Sequence, residues 1–89
     1  MPTTMQLLDT ALRVDPSAAA WCKKLGVSRN TLAVAKVRGR LSPTIAGSIA
    51  KELGQDERDW ISLAALEAEP PSNMRDTLMK RLSASIRML

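Results

Sequence analysis

Residues that start and stop helices recur along this chain at intervals too short for any long element. Ser17, Ser28, Ser42, Asp56 and Ser72 each stand where a helix N-cap belongs, and Pro43 follows Ser42 at a first helical position. Gly26, Gly39, Gly54 and the pair Pro70-Pro71 close the segments before them. Between these marks the apolar residues fall at helical spacing: Met5, Leu8 and Leu12 with Ala11 beside them, then Trp21, Cys22 and Leu25. Ile45, Ile49 and Leu53 follow, then Trp60, Ile61, Ala64 and Leu66, then Met74, Leu78, Leu82 and Ile86, closing with Leu89. Six short helices are predicted, the first over 4–14 and the second from about 17 to 25. Either Asp15 caps the second helix with Pro16 as its first residue, or Ser17 does. Ser28 caps the third, which runs to Gly39. Gly47 lies inside the fourth, where it costs about 1 kcal/mol relative to Ala, so a close helix crossing is expected there.

No stretch alternates as a strand would, and with two Trp, no Phe and no Tyr the chain lacks the aromatic content of a sandwich or barrel. An all-α fold follows. At 89 residues the core of a single small domain is marginal, so dimerisation or close helix packing is expected to contribute to its stability.

Several chemistries drop out on composition. The chain has no His and one Cys, Cys22, which removes the usual general base and any cysteine–histidine metal set. No phosphate-binding glycine loop is present. The longest unbroken apolar run, Ala18 to Cys22, is far short of the 20 or so residues needed to cross a bilayer. The first residues carry no signal-peptide pattern. The expectation is a cytoplasmic, non-catalytic domain with no cofactor, no metal and no membrane partner.

Charge is distributed unevenly. Residues 17–51 hold Lys23, Lys24, Arg29, Lys36, Arg38, Arg40 and Lys51 with no acid, whereas residues 52–76 hold seven acids against Arg58 and Arg75. A contiguous cationic segment of this kind is the electrostatic footprint of a polyanion-binding face. Lys51 reads as plain surface, and Trp21, Trp60 and Cys22 as core.

The cationic segment also contains a helix, a short turn with a glycine, and a second capped helix, in the run Trp21-Cys22-Lys23-Lys24-Leu25-Gly26-Val27-Ser28-Arg29-Asn30-Thr31-Leu32. The stretch Leu25 to Leu32 resembles the helix-turn-helix core of the lambda-repressor/Cro-like family, and the likeness covers residues 5 to about 68. Arg40-Leu41-Ser42-Pro43 and the later Ala-Ala-Leu-Glu-Ala-Glu resemble small phage-related regulators. Two departures stand out: Gly39 lies eleven residues after Ser28 where the family commonly has ten, and Ala35 occupies a position where a large aromatic is common.

The resemblance implies a five-helix DNA-binding domain over 1–69, with its helix-turn-helix at about 17–38, and a C-terminal amphipathic helix over 70–89. Ser28, Arg29, Asn30 and Val34 would read bases in the major groove, while Ser17, Lys23, Lys24, Thr31, Lys36, Arg38 and Arg40 would contact the DNA backbone. The stripe of Met74, Leu78, Leu82, Ile86 and Leu89 can fold back on the domain or pair with another chain. The favoured expectation is a homodimer through this stripe, aided by the fifth helix, because two-fold symmetry suits a pseudopalindromic operator. The expected function is that of a phage- or prophage-type repressor in a bacterial host cytoplasm, associated with the nucleoid when bound. The alternatives are an antitoxin using the same domain beside a small toxin, an RNA-binding regulator, and a protein-interaction adaptor that no longer binds DNA.

Overall fold

The computed structural model describes residues 1–86, and Leu89 of the expected dimerisation set lies outside them. The described chain is all-helical, without strands: α1 (Thr4–Val14), α2 (Ala18–Leu25), α3 (Thr31–Arg38), α4 (Pro43–Glu52), α5 (Glu57–Glu67) and α6 (Asn73–Ser85). No helix among these residues is long and apolar enough to cross a membrane.

Capping explains most of the boundaries. Ser17 settles the start of α2, because its side chain accepts the Ala20 N–H at 3.0 Å, while the Ser17 N–H itself donates to Asp15 Oδ1. Ser42, Asp56 and Ser72 cap α4, α5 and α6 through their side-chain oxygens. At α1 the cap is reciprocal: Thr3 accepts from the Gln6 N–H and the Gln6 side chain accepts from the Thr3 N–H, both at 3.1 Å.

Helices α4 and α5 form the most extensive pair, α1 lies across both, and α2 packs against α3 and α4. Gly47 is where α4 meets α5, and a Cβ there would stand 2.6 Å from Ile61 Cγ1. Its missing side chain is thus the close crossing expected from the sequence. The core gathers Leu7, Leu8, Trp21, Leu32, Leu41, Ile49, Trp60 and Leu63. Both indoles are buried with their N–H groups bonded, Trp21 to the carbonyls of Ala11 and Asp15 and Trp60 to Gln55 Oε1.

Three expectations need correction. The inner face of α1 is Thr4, Leu7, Leu8 and Ala11, with Met5 and Leu12 only flanking the core. The rotation follows from Thr4, whose hydroxyl donates to Glu67 Oε1 and accepts the Leu41 N–H at 2.9 Å, while its own N–H reaches Glu67 Oε2 at 2.9 Å. Helix α6 ends at Ser85 rather than at Leu89, and Ile86 is extended. The apolar stripe on α6 is also divided. Met74 and Leu78 are 77% and 48% exposed, Leu82 is packed against the core, and Ile86 is buried in it. Arg75 fixes the start of this helix by donating from Nε to the Leu66 carbonyl at 2.8 Å, which satisfies an acceptor at the end of α5. The described residues have a radius of gyration of 12.6 Å, close to the roughly 12 Å expected for a packed chain of this length, so α6 is docked and does not project.

Candidate nucleic-acid interface

The connection from α2 to α3 is built around Gly26. Its φ of 73° lets the chain reverse, with the Gly26 N–H on the Lys23 carbonyl at 3.2 Å and the Val27 N–H on the Cys22 carbonyl at 3.0 Å. Val27 then packs against the core, and Cys22 lies buried beneath the turn with Sγ 3.8 Å from the Arg29 carbonyl oxygen.

Ser28 does not cap α3 with its side chain. Its carbonyl accepts the Thr31 N–H at 3.1 Å in a tight first turn, its hydroxyl meets the Thr31 hydroxyl at 3.0 Å, and regular helix begins only at Thr31. Arg29 and Asn30 therefore belong to an exposed turn ahead of α3. Asn30 is the residue at the cap position, and its side chain makes no capping bond.

Leu32 and Ala35 hold α3 to the core, which sets the orientation of every other side chain on it. Ala33, Val34 and Val37 occupy the outermost ridge, Val34 being 49% and Val37 91% exposed. Thr31, Val34 and Arg38 follow one another at spacings of three and four along one flank, and Lys36 lies on the other. The solvent face of this helix is consequently an apolar ridge between polar and cationic flanks.

A groove of about 280 Å³ runs beside that ridge, and its lining includes Ser28, Asn30, Thr31, Val34, Arg38 and Arg40. Three of the four expected base-reading residues thus meet three of the expected backbone contacts. Ser42, which caps α4, and Ile45 in its first turn form another wall, and Ala35 contributes to the lining. Arg29 and Lys36 are exposed outside the groove lining. Lys23 and Lys24 are exposed in the last turn of α2, where Lys24 Nζ sits 4.7 Å from the centroid of the Trp21 ring. Ser17 is at the opposite end of α2, its oxygen engaged as the cap.

The chain matches no protein-family model, no curated protein and no solved structure.

Sequence reasoning missed Val37, Ala33, Ser42 and Ile45. Val37 was within reach of it, since it stands three residues after Val34 and so shares that side of the helix. Ser42 and Ile45 carry no such signal, because they join the groove only through the packing of α4. A second concavity, about 560 Å³ and mainly apolar, lies between α5 and α6, lined by Ser62, Ala65 and Leu66 of the first and by Leu78, Arg81 and Leu82 of the second.

Proposed function

We propose that this protein is a sequence-specific duplex-DNA-binding regulator with a lambda-repressor-like domain, acting as a phage-type repressor that occupies a pseudopalindromic operator as a homodimer. The observation that carries the reading is the setting of α3. Its exposed ridge adjoins a groove lined by Ser28, Asn30, Arg38 and Arg40, in a segment of seven cations and no acid. An α-helix fits the DNA major groove, whose floor presents base-edge donors, acceptors and thymine methyl groups.

Arg29 and Asn30, on the turn leading into α3, take polar base edges: Arg29 a guanine, Asn30 an adenine. Val34 and Val37 pack on thymine methyl groups. Thr31, Lys36, Arg38 and Arg40 hold phosphates on either side, and Lys23, Lys24 and the N-terminus of α2 at Ser17 extend the backbone contacts. The exposed residues Met74 and Leu78, beside the apolar groove between α5 and α6, meet their symmetry mates from a second copy. Repression follows from occlusion of the bound site.

Titration of the full chain against random-sequence duplex, single-stranded DNA and an RNA hairpin, over a range of salt, tests the class of ligand. The reading requires preference for the duplex and a logarithmic loss of affinity with salt, at a slope of about −0.9 per phosphate neutralised. Preference for the hairpin would transfer the function to RNA. The same apolar groove suits a helix of a small toxin, and a stable one-to-one complex with such a partner in place of the homodimer would make the protein an antitoxin.

A further inference from the structure

We propose that the depression between the α3–α4 loop and the start of α6 is a phosphate site, built from Arg38, Arg40 and Arg75. Its natural occupant is a phosphate of the DNA backbone beside the bases that α3 reads, so that the choice of occupant rests on the duplex reading above.

The three arginines come from three places in the fold: the last residue of α3, the loop after it, and the first turn of α6. All three line one depression of about 470 Å³. Arg38 and Arg40 line the α3 groove as well, so the two concavities adjoin. Among the described residues none of the three is in an ion pair, and the pair that does occur, Arg58 with Asp56, is on α5 and its cap.

One acid, Glu67, also lines the depression. Its two carboxylate oxygens already accept from the N–H and the hydroxyl of Thr4. Glu67 lowers the local positive charge without neutralising it, leaving three guanidinium groups against one carboxylate.

Arg75 is held in place. It is half-buried, and its Nε donates to the Leu66 carbonyl, which leaves the two terminal nitrogens for another acceptor. Arg40 is half-buried too, and neither Arg40 nor Arg38 donates a side-chain hydrogen bond to any other described residue. Gathering like charges is unfavourable unless an anion joins them, and a guanidinium fork matches phosphate oxygens in geometry as well as charge. Phosphate therefore suits the site in charge and in the kind of donor that lines it. Arg75 makes α6 part of the DNA-contacting surface, outside the segment that carries the helix-turn-helix resemblance.

Two readouts on the full chain test this. The first follows the thermal unfolding midpoint as inorganic phosphate replaces chloride at constant ionic strength, in the wild type and in Arg38→Gln, Arg40→Gln, Arg75→Gln and Arg58→Gln. Phosphate should raise the midpoint of the wild type and of Arg58→Gln, and the rise should shrink in the other three. Arg38→Gln and Arg40→Gln leave the Leu66 contact intact, so they separate phosphate binding from the structural role of Arg75. The second readout is the salt dependence of duplex binding, whose slope should become shallower by about 0.9 in Arg75→Gln and stay unchanged in Arg58→Gln.

A phosphate-dependent rise in a protein that ignores duplex DNA supports the site with a free phosphate or phosphorylated small molecule as its source, and removes the DNA reading. Duplex binding whose slope Arg75→Gln leaves alone, with the same phosphate response in all five proteins, overturns the site and leaves the DNA reading standing.

Discussion

Thr4 shows how one side chain organises distant parts of this chain. It is fully buried, and its hydroxyl and N–H join the start of α1 to Glu67 at the end of α5 and to the backbone of Leu41 ahead of α4. Replacing it by Val keeps the volume but leaves the Leu41 N–H without this acceptor and removes one donor to Glu67. Thr4→Val is expected to destabilise the protein by about 1–3 kcal/mol in urea denaturation, and Thr4→Ser by less, because a hydroxyl remains. Equal losses in the two variants would assign the effect to packing. At the same scale, Val34 and Val37 present methyl groups to solvent on the helix proposed to enter the major groove. Uracil in place of thymine in the bound duplex should weaken the wild type about fourfold for each contacted methyl, taking about 0.8 kcal/mol per buried carbon. The double variant Val34→Ser/Val37→Ser should bind the two duplexes alike. An equal response to uracil in the variant would show that these side chains do not touch the bases. Val37 received no role from the sequence because a valine in a helix reads as core until the face that packs is known.

Among the elements, helix ends were the most legible part of the sequence. Ser17, Ser42, Asp56 and Ser72 cap where their residue types and positions suggest, because capping is decided within a few residues of chain. Helix rotation was less legible, since it depends on partners far along the chain. Leu7 entered the core, and Met5 moved to its margin, through the link from Thr4 to Glu67. The start of α3 shifted for a local reason: the Ser28 carbonyl, rather than its hydroxyl, takes the Thr31 N–H. For the candidate site, the cationic segment and the polar residues of the turn could be read from the sequence, whereas the wall formed by Ser42 and Ile45 could not. The contact between Gly47 and Ile61 gives a test at this scale. Alanine at 47 gains about 1 kcal/mol of helix propensity but drives its Cβ into the Ile61 side chain, which is 39% exposed and so has some freedom to turn aside. Gly47→Ala should therefore fall short of that gain in the wild-type background and reach it in an Ile61→Ala background. Additive effects in the double-mutant cycle would remove the close crossing as the reason for the glycine.

For the whole molecule, charge is divided along the sequence while the core draws on both segments. The acid-free segment supplies α2, α3 and all of α4 but its last residue, Glu52, and the acidic segment supplies α5 and the first turn of α6. The two segments meet at the depression where Arg38 and Arg40 stand beside Glu67 and Arg75. Ile86 and Leu82 already serve the core, so a dimer through α6 draws on Met74 and Leu78 and on the apolar groove beside them. Leu78→Asp should shift the protein from dimer to monomer in sedimentation equilibrium while leaving its unfolding free energy, extrapolated to monomer, within about 1 kcal/mol of the wild type. An unchanged dimer would move the interface elsewhere.

The central claim, that α3 and the turn before it read duplex DNA as part of a two-fold assembly, is tested most directly by selecting from random-sequence duplexes with the full chain. The account predicts enrichment of an inverted repeat with half-sites about one helical turn apart, and an altered base preference within each half-site when Arg29→Ala is used. Failure to enrich any sequence, or an enriched site that Arg29→Ala and Lys36→Ala affect alike, would contradict it.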